Sequence, residues 1–108
     1  MENSTLEHLR YPIGKFIAPE IYSGEYINNK IAEIASFPER LKKEVLQLTE
    51  EQLETAYRQD GWTIRQVIHH CADSHMNCFI RIKWALTEEN PTIKFYHEDR
   101  WAELHDNL

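Results

Sequence analysis

The chain has 108 residues, of which 42% are hydrophobic and 11% aromatic, and a formal net charge of −6. These values bound one small domain with a modest core, and they exclude wholesale disorder. The acidic balance also argues against nucleic acid as a partner, because a phosphate footprint needs concentrated basic surface. The one basic cluster, Arg40, Lys42 and Lys43, runs into Glu44 and reads as a solvated helix face.

Three glycines are too few for a turn-rich all-β chain, and the long Pro- and Gly-free stretches favour an all-α class. No apolar run reaches the roughly 20 residues of a transmembrane helix. The segment "MENSTLEHLR" lacks the hydrophobic centre of a signal peptide. Cys71 and Cys78 lie two helical turns apart, about 10.5 Å along a helix axis and beyond disulfide reach. Reduced thiols and a cytoplasmic location, with no membrane partner, are the expectation.

In chain order, residues 1–22 show no sustained period and contain Pro12, Gly14 and Pro19. They predict an extended arm that lays Tyr11, Ile13, Phe16 and Ile17 across something apolar. A helix follows over about 23–48, with Ile27, Ile31, Ile34, Leu41, Val45 and Leu48 on one stripe. Pro38 interrupts it. Ser36 and Glu39 have capping-box spacing around that proline, which predicts a kink or a restart.

Thr49 and Gln52 repeat the capping pattern ahead of a short helix over about 50–57, ended by "RQDG". Thr63 and Gln66 form a third pair and open the longest helix, about 63–86. Its predicted inner face is Ile64, Val67, Ile68, Cys71, His75, Cys78, Phe79, Ile82, Ala85 and Leu86. Residues 87–108 read as an irregular aromatic tail with one helical turn near "DRWAELH". Two long antiparallel helices, each with an apolar stripe that wants two neighbours, amount to half of a four-helix bundle.

The histidines concentrate in "GWTIRQVIHHCADSHMN". At 100° per residue, His69 and Asp73 fall on the back of the helix and read as a solvated i,i+4 pair. His70 lies at the flank of the apolar stripe, where hydrogen-bonded structure and metal ligation both remain open. His75 sits inside the stripe one turn beyond Cys71. Thiolate and imidazole both suit zinc, but a zinc site needs three or four ligands and no further pair completes the set. A core histidine is the commoner reading of His75.

His8, His97 and His105 carry no spacing signal. There is no glycine-rich phosphate loop, G-x-S-x-G elbow or H-E-x-x-H motif. Cys71 and His75 on one helix cannot also supply an orienting group and an oxyanion hole, which removes a thiol-protease reading. What survives is a metal site left incomplete by these residues.

"YPIG", "GWTIRQVIHHCADSHMN" and "IRIKWALTEENPTIKFYHEDRWAEL" closely resemble the YfiT-type branch of the DinB-like superfamily, from about Tyr11 onward. Trp62 followed eight residues later by His70 is the shorter core shared with the wider superfamily. The branch is assigned to metal-dependent hydrolases and, in some members, bacillithiol S-transferases. The resemblance implies a partial DinB-like four-helix bundle, a homodimer, and one zinc or nickel ion held by three histidines. The first of the three matches His70; the other two form an H-x-x-x-H pair on a fourth helix, which does not occur up to Leu108. Cys71 stands where relatives often carry an apolar residue, and is not implied as a ligand.

Two functional readings follow. The first is an enzyme, a metal-dependent hydrolase or thiol S-transferase acting on a small molecule, in which a low-molecular-weight thiol is one candidate substrate. The second is an inactive helical fragment or protein-interaction module without metal. A redox role for Cys71 and Cys78 is a weaker third. Roles for Asp73, Ser74 and His75 stay open.

Overall fold

The computed structural model describes residues 3–107, and among them the fold is all-α, without a strand. In order come α1 (Asn3–Arg10), α2 (Gly24–Val45), α3 (Glu50–Leu53), α4 (Ile64–Thr87), α5 (Glu98–Trp101) and a 3₁₀ turn (His105–Asn107). The single domain expected from length contains two compact units, Met1–Gln52 and Leu53–Leu108.

In the first unit, the N-terminal arm departs from expectation. Residues 3–10 form a short, mostly polar helix whose two apolar residues, Leu6 and Leu9, are half-buried. It ends where the Tyr11 amide bonds to the Glu7 carbonyl and a turn through Pro12 brings the Gly14 amide to the Tyr11 carbonyl. Gly14 has φ +84°, a conformation that a side chain would disfavour. The rest of the arm has no regular structure, and its apolar residues do not lie against a core: Ile13 is 98% exposed and Ile17 87%.

Helix α2 begins at Ser23, whose hydroxyl accepts from the Tyr26 amide. It runs through Pro38 without the expected restart. The turn before the proline carries its own bracing. Ser36 Oγ donates to the Glu33 carbonyl and accepts from Arg40 Nε, while Arg40 Nη2 reaches the same carbonyl at 3.1 Å. These side chains supply local hydrogen bonds beside the turn where the proline lacks an amide. At α3, Thr49 and Gln52 make both bonds of a capping box, but the helix stops at Leu53, short of the predicted span.

The second unit opens with a tight loop that sequence periodicity did not reveal. An isolated antiparallel bridge joins Ala56 to Thr63, with Tyr57 N–H to the Trp62 carbonyl at 3.1 Å and Ile64 N–H to the Thr55 carbonyl at 3.0 Å. Asp60 (φ 57°) turns the chain. A Cβ on Gly61 would stand 2.5 Å from Arg58 Cγ, so a side chain there would force Arg58 to shift. An Arg65–Glu54 ion pair at 2.6 Å ties the loop to the first turn of α4.

Thr63 caps α4 with the full reciprocal box to Gln66. The same Gln66 side chain donates from Nε2 to the Ala102 carbonyl at 3.1 Å. Farther along, Arg81 Nη2 donates to the Lys94 carbonyl at 2.9 Å. The tail is thus pinned to α4 at two points, and Ala102 is the one buried apolar residue among those described, 2% exposed. The predicted inner face of α4 is half-buried from Ile64 to Cys78 and open beyond, where Phe79 is 61% exposed and Leu86 80%.

Gln66 closes the helix cap and also holds the tail, so its loss removes the tail bond together with the cap, where loss of Thr63 removes the cap alone. Replacing a capping residue costs about 1 kcal/mol and a net hydrogen bond about the same. Gln66→Ala is expected to destabilise by about 2 kcal/mol and Thr63→Ala by about 1 kcal/mol. Urea unfolding of the two variants checks the order; equal losses would mean the tail bond contributes nothing.

Candidate functional site

The loop and cap just described set the position of Trp62, and Trp62 in turn meets His70. The indole and imidazole centroids are 4.9 Å apart at 51°. His70 is half-buried, and its Nδ1 is closed off from water with no hydrogen-bond partner among the described residues. Buried polar atoms are nearly always paired, so an orphaned imidazole nitrogen marks a place where a partner is due.

The back of α4 is not the solvated face that angular reasoning predicts. Asp73 is buried, 8% exposed, and His69 is half-buried. The reason is the tail, which returns along α4 through the Gln66 and Arg81 anchors. Around Asp73, Asn77 Nδ2 donates to the Asp73 carbonyl at 2.8 Å, and Ser74 hydrogen-bonds the Tyr96 phenol. Burial, with the Glu98 carboxylate next, pushes the Tyr96 phenol above its usual range, against the opposing pull of the Ser74 bond. Neither Arg81 nor Tyr96 was singled out by spacing, since a tail that packs by single hydrogen bonds leaves no periodic trace.

Cys71 and Cys78 are both free and half-buried, and burial raises the Cys71 thiol. His75 is half-buried on the same helix, whereas His8, His97 and His105 are exposed. No group of three or more His, Cys, Asp or Glu among the described residues is placed to hold a metal ion. His70, predicted from the sequence as a ligand, has its Nδ1 enclosed and unpaired among the described residues, and these residues do not assemble a complete centre. No helix among them is long and apolar enough to cross a membrane.

Residues 33–108 match the family model of the DinB superfamily. A protein of Oceanobacillus iheyensis named "putative metal-dependent hydrolase" is 56% identical over 97 residues, covering 90% of this chain and 56% of its own length. One of Bacillus cereus (strain B4264) with the same description is 52% identical over 102 residues, covering 94% of this chain and 59% of its own. The solved structure of YfiT from Bacillus subtilis superposes with a TM-score of 0.87 at 48% identity, over 93% of this chain and 57% of that one. That protein is described as a probable metal-dependent hydrolase with an unusual four-helix bundle topology. The chain belongs to the DinB superfamily, as a YfiT-type member. It spans less than three fifths of the length of these relatives.

The raised Cys71 thiol and Tyr96 phenol give a pH dependence with a definite sign. Both acids bind their protons more tightly in the folded chain. Their contribution is therefore fully present below the ordinary thiol and phenol values, about 8.5 and 10, and is lost as pH rises through the folded ones. Stability is expected to fall from about pH 8.5 upward, less steeply in Cys71→Ala. Denaturant midpoints from pH 7 to 10.5 test it; a flat profile in the parent chain would contradict the burial argument.

Proposed function

We propose that the protein works in metal-dependent hydrolysis of a small molecule, with His70 as one ligand of a zinc or nickel ion. The observation that carries the reading is the orphaned His70 Nδ1, sealed beside Trp62. The names borne by the relatives, which speak of metal dependence, support it. The missing partner of that nitrogen is either the ion or the acceptor that fixes the ring's tautomer, and metal-bound histidines commonly need both.

When bound, such an ion lowers the pKa of a water toward 7 or holds a substrate thiolate, and so supplies hydrolysis or thiol transfer. Hydrolysis is the leading assignment because the relatives' names specify it. S-transfer to or from a low-molecular-weight thiol is the alternative, and it would use the same His70. What this chain itself contributes is orientation. Trp62 limits the imidazole to one tilt, and the capped first turn of α4 keeps the ring and indole in register. The remaining ligands are assigned to sequence that the relatives have and this chain does not span. A second copy of the chain as partner, and a cytoplasmic setting suited to two free thiols, complete the proposal.

The test joins these 108 residues to the C-terminal remainder of the Bacillus cereus relative and titrates zinc and nickel by calorimetry. His70→Ala should weaken binding at least tenfold, since loss of a direct ligand should cost no less than loss of the groups that orient one. His69→Ala should leave affinity nearly unchanged. The 108-residue chain alone should bind neither ion tightly. Equal losses for His69 and His70, or stoichiometric zinc on the short chain, would overturn the assignment.

A further inference from the structure

A cavity of about 180 Å³ lies between α4 and the tail. Its floor is Asn77, Ile80, Arg81 and Trp84, one face of α4 at steps of three and four, and its roof is residues 94–97 with Trp101. It lies along α4 beyond His70, from Asn77, seven residues on and about 10.5 Å, to Arg81, eleven residues on and about 16 Å. Nothing in the hydrolase reading uses it.

Three features define what it would accept. The first is size: a cavity of about 150 Å³ admits a benzene ring, so this one holds a single ring with a small substituent. The second is the wall. Trp84, Phe95, Tyr96 and Trp101 present aromatic surface. Edge-on contacts of Tyr96 with Trp101 (4.9 Å) and of Phe95 with His97 (5.3 Å) hold these rings in place.

The third feature is charge. Arg81, Lys94 and His97 line the cavity and no carboxylate does, although Glu98 and Asp73 act on its Tyr96 wall and the chain as a whole carries −6. The Arg81 guanidinium is fixed, with Nη2 on the Lys94 carbonyl and its carbon 5.7 Å from the centre of the Tyr96 ring. Its Nε is buried without a hydrogen-bond partner among the described residues. A held cation among aromatic walls favours an anion on a flat apolar body.

We propose that this cavity binds a small aromatic carboxylate, its ring among the indole and phenyl walls and its carboxylate toward Arg81 and Lys94. Benzoate is the probe, titrated into the chain by calorimetry alongside benzyl alcohol and acetate. Benzoate should bind saturably, one per chain. Benzyl alcohol, which keeps the ring and loses the charge, should bind at least fivefold more weakly, and acetate, which keeps the charge and loses the ring, should give no saturable heat.

Lys94→Met should weaken benzoate about threefold while leaving the helical circular dichroism unchanged, since only the Lys94 backbone carbonyl anchors Arg81. No saturable benzoate binding, or benzyl alcohol binding as tightly as benzoate, would overturn the proposal. So would full benzoate affinity in a folded Lys94→Met chain. The alcohol comparison needs no substitution, so an unfolded variant does not protect the idea.

Discussion

The second unit depends on one side chain, Gln66. Its oxygen accepts from the Thr63 amide and closes the capping box, while its nitrogen reaches 36 residues along the sequence to the Ala102 carbonyl. A cap is ordinarily a local device that satisfies orphan amides at a helix start. Here the capping amide spends its second functional group on tertiary structure. The register of α4 and the path of the tail are therefore set by the same residue. The burial of Asp73 and the aromatic cavity both lie under the tail that this bond and the Arg81 anchor hold down.

The parts of this arrangement visible in the sequence are those decided within four residues. The capping pairs Thr49–Gln52 and Thr63–Gln66 and the length of α4 follow from spacing alone, and each is present. Pro38 was misleading because the general cost of an interior proline says nothing about the Ser36 and Arg40 side chains that brace the turn before it. Helix α1 offers only two apolar residues, Leu6 and Leu9, too few to set a period. The His69–Asp73 face was assigned to solvent because helix geometry gives opposite faces but not what covers them, and its cover comes from some thirty residues further on. The candidate ligand was legible as a position, through Trp62 and His70. What seals its Nδ1 depends on how the loop at Gly61 turns, which no periodicity encodes.

Both long helices carry apolar side chains that the described residues leave in water. On α2, Ile31 is 58% exposed, and on α4 Phe79, Ile82 and Leu86 are open. The same chain reproduces three fifths or less of each relative and matches YfiT closely over that part. YfiT, matched over 57% of its length, is described as having a four-helix bundle topology.

That open stripe has a calorimetric meaning. The heat-capacity change of unfolding and the denaturant m-value both scale with the surface newly exposed to water. Side chains already hydrated in the native chain contribute to neither. The 108 residues should therefore unfold with a smaller heat-capacity increment per residue than an ordinary globular domain, giving a shallow stability curve over temperature. Cold and heat would act on it gently and almost symmetrically, and its transition would be broad.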